Sequence, residues 1–115
     1  MGLDMYLYNK ESEVGYWRKA NQIHKWFVDN VQGGEDDCSP YPVTRDQLEK
    51  LLTAVYYVQK NPSTASEHLP TGAGFFFGST EYGTWYWEDI NQTKHILEQA
   101  LADKTTDSWT YQSSW

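Results

Sequence analysis

A chain of 115 residues, 39% hydrophobic and 22% charged, is long enough for one core of two or three layers and too apolar for a disordered tail. Sixteen Asp and Glu against nine Lys and Arg leave a net charge of −7 and a pI near 4.7, which excludes backbone-driven nucleic-acid binding and adhesion to anionic membranes. The same charge suits a basic protein surface, and it is also what solubility alone asks of a small protein. Cys38 is the single cysteine, so no intramolecular disulfide forms and a reducing compartment is expected.

In chain order, residues 3–8 alternate Leu3, Met5 and Leu7 with Asp4, Tyr6 and Tyr8, and read as a strand. Val14-Gly15-Tyr16-Trp17 is a second strand or an extended lead into a helix. From about Lys19 onward, Ala20, Ile23, Phe27 and Val31 recur at helical spacing, and Gly33-Gly34 ends that helix. Residues 35–42 are an acidic, proline-broken loop, part of which suits a sheet edge. Thr44-Arg45-Asp46-Gln47 is a capping box, and Leu48, Leu51, Leu52, Val55 and Val58 carry the helix it opens to about Lys60. Asn61-Pro62 stops that helix, and one further helical turn fits near Ala65 to His68. Gly74-Phe75-Phe76-Phe77-Gly78 reads as a buried strand or a tight aromatic loop. Ile90, Leu97, Ala100 and Leu101 mark a third helix over 88–102, and the tail 109–115 is β-rich and expected to join the sheet. The expected fold is a single α+β domain over 1–115, with about three helices on a small, mostly antiparallel sheet.

The N-terminus lacks a basic stretch and a long apolar run, so no signal peptide is read there; Tyr6 occupies the place where a myristoylation motif wants Ser or Thr. No segment approaches the ~20 apolar residues of a membrane span. A soluble, cytoplasmic protein is expected.

Two clusters draw the chemistry. The first is Tyr16-Trp17-Arg18-Lys19-Ala20-Asn21-Gln22-Ile23-His24-Lys25-Trp26-Phe27, where cations, amides and flat rings coincide. Trp17, Arg18, Asn21, His24 and Lys25 form a conditional ligand wall, with Arg18 and Lys25 for phosphate or carboxylate and Trp17 for stacking. The condition is that Phe75, Phe77 and the C-terminal Tyr111, Gln112 and Ser113 fold alongside and close one aromatic pocket. The bland reading makes Trp26 and Phe27 core, pairs the cations with acids and gives His24 a backbone carbonyl. The second cluster is Tyr82, Trp85, Trp87 and Glu88, whose acidic-aromatic character suits a hot spot on a basic protein; it equally suits a helix N-terminus whose dipole is met by Glu88 and Asp89. His24, Cys38, His68 and His95 show no ligand spacing, so neither metal nor cofactor is expected. No nucleophile stands in a catalytic motif, and His24 is the best general acid or base if there is a reaction.

Met1-Gly2-Leu3-Asp4-Met5-Tyr6-Leu7, Tyr16-Trp17-Arg18-Lys19 with Asn21 and His24-Lys25-Trp26-Phe27, Gly74-Phe75-Phe76-Phe77-Gly78, and Tyr111-Gln112-Ser113-Ser114-Trp115 together resemble a family of small proteins found in bacteriophages and prophages. The resemblance implies a phage or prophage origin and an accessory role in the infected cell, and it brings no activity with it. The kinase labels sometimes given to such sequences do not suit a chain this short without a Gly-x-x-x-x-Gly-Lys-Ser/Thr loop. The expectation is therefore a binding protein that engages a host protein, plausibly as a counter-defence inhibitor. The alternatives are a binder of a small, nucleotide-like molecule and, third, an enzyme. The sequence leaves the oligomeric state open.

Overall fold

The computed structural model describes residues 2–72 and 80–115. Strand β1 (Asp4–Tyr8) pairs antiparallel with β2 (Glu13–Arg18) on one side and with the C-terminal β4 (Ser108–Ser114) on the other. A short β3 (Tyr41–Thr44) adds to the far side of β4, giving a four-stranded antiparallel sheet in the order β2-β1-β4-β3. The helices are α1 (Asn21–Asn30), α2 (Arg45–Lys60), the single turn α3 (Ala65–His68) and α4 (Thr84–Ala102). The fold class is α+β, as the pattern of elements predicts.

Period-two alternation sorts the sheet into two faces. Met5, Leu7, Trp17, Val43, Trp109 and Tyr111 point into the core, while Asp4, Tyr6, Tyr8 and Tyr16 line the other side. On that outer face the Tyr6 and Tyr8 rings stack at 6.0 Å and Tyr16 lies 5.3 Å from Tyr6. Helix α1 covers the core face through Phe27, whose ring stacks on Tyr111 at 3.9 Å with an 8° tilt. Helix α4 covers it through Thr93, whose hydroxyl accepts from Trp17 Nε1 at 2.8 Å and donates to the Asp89 carbonyl at 2.7 Å. At Gly15, β2 runs so close beneath α4 that a Cβ would sit 2.5 Å from Ile96 Cγ2. Only glycine allows that approach.

Several boundaries move. Lys19 has φ +57 and donates its N–H to the Leu3 carbonyl at 2.7 Å, so the chain turns there and α1 starts at Asn21. The capping box at Thr44 forms in both directions: Gln47 N–H reaches Thr44 Oγ1 at 3.2 Å and Thr44 N–H reaches Gln47 Oε1 at 2.9 Å. The edge segment is β3, which tolerates Pro42 because it pairs with β4 alone. Helix α4 begins at Thr84, four residues before the expected start. Its buried stripe reaches back from Ile90 to Tyr86, whose hydroxyl donates to the Leu69 carbonyl at 2.7 Å. Glu88 and Asp89 therefore lie in the second turn and do not meet the helix dipole, and the first turn holds no acid. The aromatic segment Gly74-Phe75-Phe76-Phe77-Gly78 lies outside the described residues.

Candidate functional site

Among the described residues the first cluster does not form one open pocket. Trp17 is fully buried, edge-on to Phe27 at 6.2 Å, so it has no face for a ligand. Tyr111 and Ser113 are core residues too, and Gln112 lies on the other face of β4 with its Nε2 donating to the Cys38 carbonyl at 3.1 Å. Asn21 is buried and its Oδ1 accepts the Gly72 N–H at 3.0 Å. Lys25 pairs with Asp29 one turn on, at 3.2 Å. Phe75 and Phe77 are outside the described residues. The C-terminal strand does come alongside α1, but the two meet as packed core.

His24 shows how. It is 1% exposed, with Nδ1 2.7 Å from the Tyr111 hydroxyl and Nε2 2.9 Å from Asp36 Oδ1. An ionised Asp36 accepts only, so the proton belongs on Nε2 and Tyr111 donates to Nδ1. Asp36 Oδ1 also accepts from Trp115 Nε1 at 3.0 Å. Burial lowers the His24 pKa and Asp36 opposes that, with burial the stronger, so the ring is neutral at pH 7 and the contact is a hydrogen bond rather than an ion pair. Burial also raises Tyr111 far above the usual phenol range. With both ring nitrogens engaged, His24 reaches a substrate only by giving up Asp36 or Tyr111. The shallow concavity above it, about 220 Å³, is lined by Asn21, His24, Lys25, Val28, Asp36 and others.

The larger concavity, about 380 Å³, joins parts of both clusters. Arg18, Lys19 and Gln22 come from the β2–α1 corner; Trp85, Tyr86 and Asp89 come from α4; Glu81 comes from the turn before it. Trp85 is 74% exposed and forms its open lip, with Tyr82 at 39% nearby and Glu88 exposed on the next turn. Trp87 is half-buried and packs edge-on to Tyr86 at 4.9 Å, so it supports the surface from behind. Arg18 Nη1 pairs with Asp4 Oδ1 at 2.6 Å, and Tyr16 donates to the same oxygen at 2.6 Å. Gln22 is buried, and its Nε2 donates to the Tyr86 carbonyl at 3.2 Å, locking α1 to α4. Burial pushes the Asp89 carboxyl up to about 6; a hydrogen bond from Gln22 lowers it and the charge of Glu88 raises it.

Sequence reasoning named Arg18 and Trp85 but assigned them to different sites; Lys19 and Gln22 stood in the first stretch and Glu81 and Asp89 beside the second, without being counted among the site residues. Asp89 stands at i+4 from Trp85, on one helix face, only because the helix starts at Thr84, a start the sequence does not signal. Among the described residues no three His, Cys, Asp or Glu gather as a metal site, and no helix is long and apolar enough to cross a membrane. No family profile, curated protein or solved structure matches the chain.

Proposed function

We propose that this protein is a phage-encoded accessory factor that binds a bacterial host protein, and that the surface around Trp85 is where it does so. The observation that carries the reading is the exposure of Trp85, at 74%, on the first turn of a 19-residue helix. An indole left in water forgoes the ~1.5–3 kcal/mol that burying a large apolar side chain brings. Tryptophan is among the residue types enriched at the hot spots of protein interfaces, and a partner that covers one recovers that free energy. Glu88, exposed one turn on from Trp85, sets a negative charge beside the indole, which accords with the chain's net charge of −7 and favours a basic partner. The bacteriophage resemblance supports the setting, and a defence component is the host protein that setting suggests.

The test is quantitative capture from bacterial lysate with wild type, Trp85→Ala, Glu88→Lys and a control, Tyr57→Ala, at an exposed ring on α2. The reading expects one protein retained by wild type and control and lost with Trp85→Ala. Capture that survives both Trp85→Ala and Glu88→Lys would overturn it.

A second reading, a small-molecule binder, is favoured by the volume of the groove, about 380 Å³. It places the ligand between Arg18 and Trp85 instead of beside His24. A nucleotide panel that leaves the melting temperature unmoved removes it.

A further inference from the structure

The groove beside Trp85 has two unlike walls, and their chemistry selects a guest. On α4, Trp85 and Asp89 are one turn apart, so the indole and the carboxyl share a helix face. Opposite them, the Gln22 amide holds the Asp89 carboxyl by a hydrogen bond and α4's backbone at Tyr86. Arg18 and Lys19 line the groove together with Glu81 and Asp89, and Arg18 also pairs with Asp4 at 2.6 Å. On the α4 wall the charge that acts on Asp89 is that of Glu88, next to it on the helix. That wall therefore sets two acidic groups beside a flat aromatic face.

We propose that this groove receives an arginine side chain of the protein partner, its guanidinium stacked on Trp85 and hydrogen-bonded to Asp89. Arginine fits better than lysine because its planar fork both stacks on an indole and meets a carboxylate in two parallel hydrogen bonds. Lysine brings a point charge without the plane. A carboxylate or phosphate guest would gain Arg18 and Lys19 on the opposite wall, but against Trp85 it would meet the like charge of Asp89. The inference rests on the docking surface proposed above and specifies what that surface recognises.

The binding also carries a proton. Burial holds the Asp89 carboxyl at about 6, and the charged group that acts on it is Glu88 on its own helix, while Arg18 and Lys19 from the β2–α1 corner and Glu81 from the preceding turn line the same groove. A guanidinium favours the ionised carboxylate, so apparent affinity falls with the ionised fraction, by up to about tenfold from pH 7 to pH 5.

The test titrates Nα-acetyl-arginine-amide into the ¹⁵N-labelled full chain and follows the Trp85 indole N–H and the Asp89 amide. Expected are saturable shifts at both, with the Asp89 shift lost in Trp85→Ala and the Trp85 shift lost in Asp89→Asn, and weaker binding at pH 5 by the stated factor. Lys19→Glu, on the rim and away from the helix packing, is expected to tighten binding severalfold and keeps the test decisive if Asp89→Asn folds poorly. No shift overturns the proposal. Equal shifts with Nα-acetyl-norleucine-amide make the groove merely apolar, and stronger ones with Nα-acetyl-glutamate-amide make it an anion site; either overturns it. A Trp85-dependent partner combined with an arginine probe that does nothing removes the arginine and leaves the docking surface; a responding probe with no captured partner does the reverse.

Discussion

A histidine fixed between a phenol and a carboxylate has one proton order that satisfies all three groups, and His24 has that order when neutral. Its folded pKa lies below the ordinary 6.5. The folded state thus prefers the neutral ring, and the stability this contributes is complete above pH 6.5 and lost as pH falls through the lower, folded value. Asp89 runs the other way, since its folded value of about 6 is raised from 3.8, so it penalises folding increasingly as pH rises from 3.8 through 6. The difference between wild type and His24→Gln isolates the histidine. We expect the variant to lose about 2–4 kcal/mol at pH 7 by urea unfolding, from broken buried hydrogen bonds and poorer packing. The gap should narrow on acidification below pH 6.5, and a gap independent of pH would show that the ring does not titrate with folding. Sequence periodicity placed His24 at the border of an apolar face, but it had no means to supply Asp36 from a loop or Tyr111 from the last strand. The bonds that fix its role are side chain to side chain, where the bland expectation was a backbone carbonyl.

At the scale of elements, what was legible follows where local chemistry decides the structure. The Thr44 cap is local, and it formed as read; Thr44→Ala should cost about 1 kcal/mol by thermal or urea unfolding. The start of α4 is not local in that sense. Gly83 supplies no capping side chain, so Trp85-Tyr86-Trp87 carried no start signal, and tertiary packing of Tyr86 sets the helix there. Gly15 is a comparable case. Its place in a β-rich run looked incidental, yet the crossing of α4 over β2 depends on it. Gly15→Ala should destabilise by about 1–3 kcal/mol through contact with Ile96, and combining it with Ile96→Ala should be markedly non-additive, because the second change removes the obstructing atoms. Additive losses would place the strain elsewhere. The latch made by Arg45 was also unread: its guanidinium donates to the carbonyls of Leu101, Asp103 and Thr106 at 3.0, 2.6 and 2.7 Å, over the Trp109 ring. All four partners lie more than fifty residues away.

For the whole molecule, the docking of α4 across β2 decides what the surface offers. Arg18 and Trp85 are 67 positions apart, and they share a groove because Trp17 and Gly15 seat the helix where they do. No periodicity in either segment contains that fact, which is why Arg18 and Trp85 were read into separate clusters. The division of labour that results is testable without a ligand. Trp85→Ala should leave stability within about 0.5 kcal/mol, as exposed substitutions do, while abolishing partner capture. Trp17→Phe should do the opposite, lowering stability by leaving Thr93 without its donor. With a charge of −7, partner capture should also weaken as salt is raised from about 0.05 to 0.3 M; insensitivity to salt would remove the electrostatic part of the reading.

The left-handed turn at Lys19 leads somewhere different. A side chain other than glycine or asparagine at φ +57 is held there against its own preference, by about 1 kcal/mol. The same residue contributes a positive charge to the rim of the groove in which we place a guanidinium. Replacing it with glycine should therefore yield a chain that melts higher and grips a guanidinium harder. Most engineering trades one of those properties against the other; here a single position limits both.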